Sequence, residues 1–485
     1  MPSHNSPQCI KTYVSTVCQQ IRWKKAHPRV ADELSSHISD ATDTYISQGL
    51  PEADAIAQAI NDTGDASLIG AQLDRVHRPK PQWGMLGTTA ALVVLGLAIY
   101  GFFAGGMSAN RLLFTGIGAA GLVAAYFIDF TWIVKYPKTL LFAALAIAVV
   151  MWPLHFYLQL GTVIFTDGAG IWFHSRTNMA AFLLTFPLVL AVIIFYAKGK
   201  GYWGLTISGL SFTLLTAVAS GISVVGAVRF GVIGVVLLGI AIAKDMFRVR
   251  KLSAALTAFA PPVLLGLPFV VAFAINEFQR QIFLQRVMVF FNPSVAPETR
   301  GFWPLMTRGI LRDAVWFGRG ESEWLSIMLW QSSSPPMPVE SISVLTVLIG
   351  LMGWVAFVIV VGVVVFFIAK GMTRCLRQKS NLGLLVSSAV LVTFAAQAVE
   401  YVTFNLGFQM ASPISLPLIV SGNAPLVVNM VLIGFMLSVF RTGDAVVDRH
   451  YDTRTGKLIC WEDGKLIIQF RPAINRLHDN NDKPF

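Results

Sequence analysis

The chain has 485 residues, 55% of them hydrophobic and 13% charged, and its mean hydropathy is +0.63. Soluble domains carry roughly 25% charged residues, so the composition excludes an ordinary soluble enzyme, a disordered protein and a nucleic-acid-binding module. The net charge of +11 and the pI near 9.6 fit a membrane protein whose basic residues collect in cytoplasmic loops.

The first 83 residues read as a small cytosolic helical bundle. No apolar stretch of the kind a cleaved signal peptide needs lies near Met1. Pro28 opens a helix with the stripe Val30, Leu34, Ile38, Ala41 and Tyr45, and Gly49 ends it. Pro51 opens the next, through Ala55, Ile56 and Ile60 to Thr63-Gly64-Asp65. A last helix carries Leu68, Ile69, Leu73 and Val76 and stops at Pro79-Lys80-Pro81. Three or four helices are expected, with a proline hinge after them. Eight Lys/Arg against nine Asp/Glu exclude a basic nucleic-acid arm here.

From Trp83 to Phe440 the chain is a series of apolar runs, each near the ~20 residues that cross a bilayer. Ten are expected, at 84–104, 109–129, 139–160, 178–197, 202–223, 226–243, 253–275, 342–369, 382–406 and 420–440. Ten crossings return the C-terminus to the side of the N-terminus. All fifteen lysines then fall on one side, the cytoplasmic one by the positive-inside rule. Cys9, Cys18, Cys375 and Cys460 fall on that side too, where reduced thiols are expected.

The one long outer loop, 276–341, has no lysine but six arginines: Arg280, Arg286, Arg300, Arg308, Arg312 and Arg319. Arginine forks match phosphate and carboxylate geometry. The alternative is that these arginines pair with the loop's own Glu298, Asp313, Glu321 and Glu323. A second outer segment, 407–424, is rich in Pro and Ser; irregular backbone at membrane depth must be buried in protein or line a cavity. After Arg441 the tail is polar. Lys457–Trp461 and Lys465–Phe470 read as a β-hairpin with Asp463-Gly464 at the turn.

Ionisable residues inside apolar runs are costly. Arg229 and Glu400 are the two such residues for which function, or a specific ion pair, weighs equally with an interfacial position. Asp129 and Lys135 flank an inner membrane edge. The histidines, His155 and His174 among them, show no metal spacing. The glycines lie mostly in the spans, where close helix packing explains them.

The long loop carries a resemblance. Leu284–Pro293 and Gly301–Gly320 resemble the segment after span seven of SEDS proteins, the shape, elongation, division and sporulation family of the RodA/FtsW/SpoVE kind. Arg286, Val287, Phe290, Asn292, Pro293, Gly301, Phe302, Thr307, Arg308, Gly318, Arg319 and Gly320 match that family's pattern without a gap. Leu416-Pro417-Leu418 with Gly422 is similar to a later family motif, and Asn405 with Gly407 to the one before it. Asp167-Gly168-Ala169 and Trp172 resemble a motif after span three. The N-terminal bundle looks like the prefix domain found ahead of some bacterial permeases.

The resemblance implies an all-α polytopic membrane protein of about ten transmembrane helices in a bacterial cell membrane, with both termini cytoplasmic. Its domains would be a prefix bundle (1–83), a SEDS-like transmembrane domain (84–440) with the outer loop 276–341, and a cytosolic tail with a short β-hairpin (441–485). It further implies a peptidoglycan glycosyltransferase that polymerises a lipid-linked disaccharide-peptide precursor at the outer face, in cell-shape or division control. A class B penicillin-binding protein would be its partner, with membrane lipids around it and no nucleic acid. Such chemistry needs a base for the acceptor hydroxyl and positive charge at the pyrophosphate.

Here the sequence departs from the family. The position of the family's catalytic aspartate falls on Ile342, and the nearest acid is Glu340. The family's arginine before the tryptophan falls on Ile171, and its S-E-x-x-K after that has no clear match, Arg176 being the one cation nearby. The aspartate in span six falls on Arg229, a charge reversal. The resulting candidate base is Glu340. Candidate precursor contacts are Arg286, Arg308, Arg319, Asp167, Arg176, Asn405, Ser421 and Asn423. A divalent cation at the pyrophosphate stays open, because no ligand cluster demands one. A non-catalytic relative that binds precursor or scaffolds a transpeptidase is the alternative. A flippase for a lipid-linked substrate is the third reading, although no internal repeat of the transporter kind is visible.

Overall fold

The computed structural model describes residues 6–77, 81–128, 130, 136–147, 181–331, 343–410, 412–420, 422–442, 459–462 and 465–468. Residues Met1–Val446 form one compact unit and Val447–Phe485 a second.

Four helices open the chain: α1 (Ser6–Gln20), α2 (His27–Ser47), α3 (Glu52–Thr63) and α4 (Ala66–His77). Their apolar faces close on Val14, Val17, Ile21, Val30, Ile38 and Ala59. The predicted stripe of α2 lies on this core, as do Ile69 and Leu73 of α4. Leu68 does not; it is exposed. The α3–α4 corner is fixed by Asp65, which accepts from Ser67 N (3.0 Å) and Ser67 Oγ (2.7 Å). These two bonds hold its carboxyl below the ordinary range. Tyr13 Oη donates to Gly64 O (2.8 Å) and ties α1 to the same corner.

The apolar helices follow: α5 (Trp83–Ala104), α6 (Ala109–Phe127), α7 (Pro137–Ile147), α8 (Phe186–Tyr196), α9 (Gly201–Ile222), α10 (Val224–Ala243) and α11 (Lys251–Ile275). Three helices of the long loop come next: α12 (Glu277–Phe291), α13 (Phe302–Arg312) and α14 (Glu323–Gln331). Then come α15 (Val344–Met352), α16 (Trp354–Leu376), α17 (Asn381–Asn405) and α18 (Asn423–Thr442). Among the described residues eight helices are long and apolar enough to cross a bilayer, and α7 and α8 are shorter apolar helices at two more of the expected positions. The chain is a multi-pass, all-α membrane protein. In the tail, Ile459–Glu462 (β1) pairs antiparallel with Lys465–Ile468 (β2). The expected Asp463-Gly464 turn lies outside the described residues.

Helix ends come together on a common face. Lys370 Nζ donates to Gly84 O (2.7 Å), Gln82 Nε2 to Phe440 O (3.2 Å) and Ser438 Oγ to Ile128 O (2.7 Å). Gly199 N donates to Met246 O (3.0 Å), joining the α8–α9 and α10–α11 connections. With the helices running up and down, this face carries Lys138, Lys198, Lys200, Lys244, Lys251, Lys370 and Lys379. The opposite face carries the described loop residues 276–331 and 406–410, 412–420 and 422.

Span eight differs from the expected 342–369. Val344–Met352 is a short buried helix, and the crossing helix is α16, shifted toward Leu376. The break is Gly353, at φ +88. A Cβ there would lie 2.5 Å from Trp316 O. The loop uses the break: Trp354 N donates to Val315 O (3.1 Å) and Val355 N to Trp316 O (3.3 Å). Gly318 N donates to Met352 O (3.2 Å) and Gly320 N to Gly350 O (2.9 Å). A run of apolar residues carries no mark of such a break, because hydropathy is blind to φ. Gly353→Ala is expected to lower stability by about 1–3 kcal/mol, the cost of a strained φ. Gly362→Ala, whose Cβ would meet nothing within 4 Å, is expected to be neutral or stabilising by under about 1 kcal/mol. Equilibrium unfolding in detergent would compare the two; equal effects would remove the special status of Gly353.

Candidate functional site

The site region is the face with the long loop. Its residues are placed by α17, whose length is almost wholly buried. A polar group on the buried faces of such a helix needs a partner. Gln397 meets Asn429 of α18 through both amides (3.2 and 3.3 Å) and accepts from Ser415 Oγ (3.0 Å). Ser415 belongs to 412–420, a buried irregular segment closed by the bridge Leu416–Val420. That is the Pro/Ser-rich stretch whose backbone had to be covered by protein. Asn405 Oδ1 accepts from Thr346 N (3.0 Å) and its Nδ2 donates to Tyr401 O (2.9 Å). Thr346 Oγ1 also donates to Asn405 O (3.0 Å), so α15 is held at the end of α17.

Glu400 reaches the other way. Arg229 Nη1 of α10 donates to Glu400 Oε2 at 2.7 Å. The two ionisable residues singled out in separate spans are partners. The Arg229 side chain is 6% exposed and the Glu400 side chain 20%. Arg229 Nη2 and Glu400 Oε1 are buried without a hydrogen bond.

Arg308 is the hub of the loop. Its Nε donates to Gly407 O (3.2 Å), Nη1 to Phe291 O (3.2 Å) and Nη2 to Phe290 O (2.8 Å). Its guanidinium also lies over the Phe408 ring, 5.0 Å from the centroid. Three of its roughly five N–H groups therefore hold the end of α12 against the end of α17. Gly407, at φ +85, leaves the room: a Cβ would sit 2.6 Å from Arg308 Cγ. Thr307 Oγ1 accepts from Gln409 Nε2 (3.0 Å), and Asn292 caps the turn after α12 by accepting from Ser294 N (3.2 Å).

Arg286 and Arg319 are exposed on this face, and so is Arg312. Among the described residues none of the three forms an ion pair with Glu298, Asp313, Glu321 or Glu323. The self-paired loop weighed from the sequence is therefore not the arrangement seen. Asn423 is half-buried at the start of α18. Glu340, Asp167, Arg176 and Ser421 lie outside the described residues. Two features were missed in the sequence: the Gln397–Asn429–Ser415 network, and Arg111, buried near the start of α6 with its guanidinium 5.1 Å from the Tyr100 ring centroid. The signal for both was a polar residue inside an apolar run.

No known protein-family profile matches this chain, and no curated protein does. Solved structures do. One is a chain of a peptidoglycan synthase complex, solved to show how polymerization and crosslinking are coordinated; it superposes with a TM-score of 0.52 at 18% identity. The match covers 75% of this chain and 98% of that one. Over three quarters of its length this chain shares the fold of that synthase-complex chain. Two structures of the rod shape determining protein RodA of Thermus thermophilus, one a point mutant, align at 15% identity with TM-scores of 0.45. They cover 75% of this chain and 98% and 97% of theirs. Of the residues that carried the sequence resemblance, Phe290, Asn292, Thr307, Arg308 and Gly407 lie at the junction around Arg308.

Two tests follow from the polar contacts. Arg229→Met alone leaves a buried carboxylate and is expected to cost about 3 kcal/mol. The double variant Arg229→Met/Glu400→Leu is expected to recover most of it, measured by unfolding in detergent; additive losses would mean the pair is not coupled. Arg308→Lys keeps the charge but not the fork. It is expected to cost about 1–3 kcal/mol through the lost carbonyl contacts, and a stability equal to the wild type would sink the hub.

Proposed function

We propose that the protein is a SEDS-family peptidoglycan glycosyltransferase. It would polymerise a lipid-linked disaccharide-peptide precursor at the outer face of a bacterial cell membrane, with both termini in the cytoplasm. The observation that carries the reading is the superposition on a chain of a peptidoglycan synthase complex. It is supported by the loop whose motif residues Asn292, Thr307, Arg308 and Gly407 form a connected junction. The likeness to a complex that couples polymerization to crosslinking supports a class B penicillin-binding protein as partner. A role in cell shape or division belongs to the same proposal.

The roles are divided by exposure. Arg308 and Asn405 spend most of their hydrogen bonds on the protein and position the loop. Arg286 and Arg319 are open to a pyrophosphate, whose charge they would neutralise as the leaving group departs. Asn423 starts α18 beside the irregular segment. Asp167, Arg176 and Ser421 complete the proposed contact set. Glu340 would take the proton of the acceptor hydroxyl, a transfer that glutamate performs as well as aspartate.

The changed polar positions favour the second reading, a relative that binds precursor or scaffolds a transpeptidase without turnover. Purified protein with fluorescent lipid-linked precursor, with and without a class B partner, decides between them. Glycan ladders from wild type that vanish in Glu340→Gln are the expected outcome. Arg286→Ala and Arg319→Ala should each lower the rate by about tenfold, the loss of a charge-assisted contact worth ~1.4 kcal/mol. Ladders that survive Glu340→Gln remove Glu340 as the base. Binding without ladders in any condition overturns the enzyme in favour of the scaffold.

A further inference from the structure

The loop displays a tip that the glycan chemistry does not use. Val315, Trp316 and Phe317 are consecutive and apolar, and they are 43%, 69% and 77% exposed. They cannot fold away: the carbonyls of Val315 and Trp316 accept from the first residues of α16, and Gly318 and Gly320 donate to Met352 and Gly350. Large apolar side chains held rigidly in the open mark an interaction surface.

We propose that Val315-Trp316-Phe317 is a membrane anchor, seated at the headgroup–acyl boundary of the leaflet on the loop face, and that it sets the depth of the long loop. The occupant of this surface is lipid, and three observations select it. First, the tip is bonded to the opening turn of α16, a crossing helix, so it lies at the depth where that helix meets the membrane surface. Second, the tip continues an outward apolar surface: Met352, Val358, Ile359, Val365 and Phe366 are all exposed along α15 and α16. Third, the tip is flanked by exposed Arg312. Tryptophan concentrates at membrane interfaces, and arginine stems lie along apolar surface while their heads reach headgroups. The four backbone bonds make the anchor and the crossing helix one body, so the junction around Arg308 is held at a constant height above the bilayer. The proposal stands apart from glycan synthesis, since it concerns where the loop sits and not what it catalyses.

Site-directed spin labelling tests it. Phe317→Cys would be made in the full chain with Cys9 and Cys460 changed to Ser, because Cys18 and Cys375 are buried. The labelled protein is reconstituted into phosphatidylethanolamine–phosphatidylglycerol vesicles. Collision with oxygen, which partitions into lipid, is compared with collision with a water-soluble nickel chelate. Val358→Cys on α16 and Glu298→Cys on the loop serve as lipid and water references. The expected result is an oxygen-to-nickel ratio at 317 shifted from the Glu298 value toward the Val358 value. A ratio equal to that at Glu298 places the tip in water and overturns the proposal. A label shielded from both reagents also overturns it, because a second copy or another protein then covers the tip. Trp316→Cys repeats the measurement at a neighbouring position.

Discussion

The constraint on which the rest depends is the burial of α17. This helix runs through the middle of the apolar bundle, with one face in the cluster of α5, α16 and α18 and another in the cluster of α8, α9 and α10. It also carries Gln397, Glu400 and Asn405 within its last nine residues. Each of these polar groups would be costly if left alone at that depth. Each therefore recruits a different neighbour: Asn429 and Ser415, then Arg229, then Thr346. Three directions are fixed from one helix. Apolar packing alone would allow these helices to slide, since lipid solvates leucine as well as another helix does.

The same logic explains the face with the loop. The irregular segment 412–420 sits among the helices because Ser415 has a partner there. The short helix α15 stays against α17 because Thr346 bonds both the side chain and the carbonyl of Asn405. The loop then closes over these pieces through backbone contacts, at the Gly353 break and at the Arg308 hub. Most of the residues that resemble the SEDS pattern are engaged in this construction. Arg286 and Arg319 are the matching arginines that stay exposed.

The Arg229–Glu400 pair shows how a fold absorbs a charge inside an apolar helix. An arginine in the middle of an apolar helix demands a carboxylate or water within reach. Glu400 supplies the carboxylate from the facing helix, at similar distance from the loop-face end of its own helix. The pair leaves one nitrogen and one oxygen without a protein partner, so it is only half satisfied. It links the half of the bundle built on α8–α11 to the central helix, as Gln397 links the other half.

The sequence by itself determined the membrane class, the positions of most of the described apolar helices, the gathering of lysines on one face and the helical bundle at the start. These follow from hydropathy, periodicity and charge counts, which are local and additive along the chain. It also marked Arg229 and Glu400 as special, because a charge in an apolar run is visible without any partner. What only the tertiary structure decided was pairing. That Arg229 meets Glu400 across 171 positions, that Arg308 spends its fork on carbonyls, and that span eight breaks at Gly353 to receive the loop depend on distances between segments far apart in sequence. Hydrogen bonds and φ angles set those distances, and neither leaves a trace in a hydropathy profile.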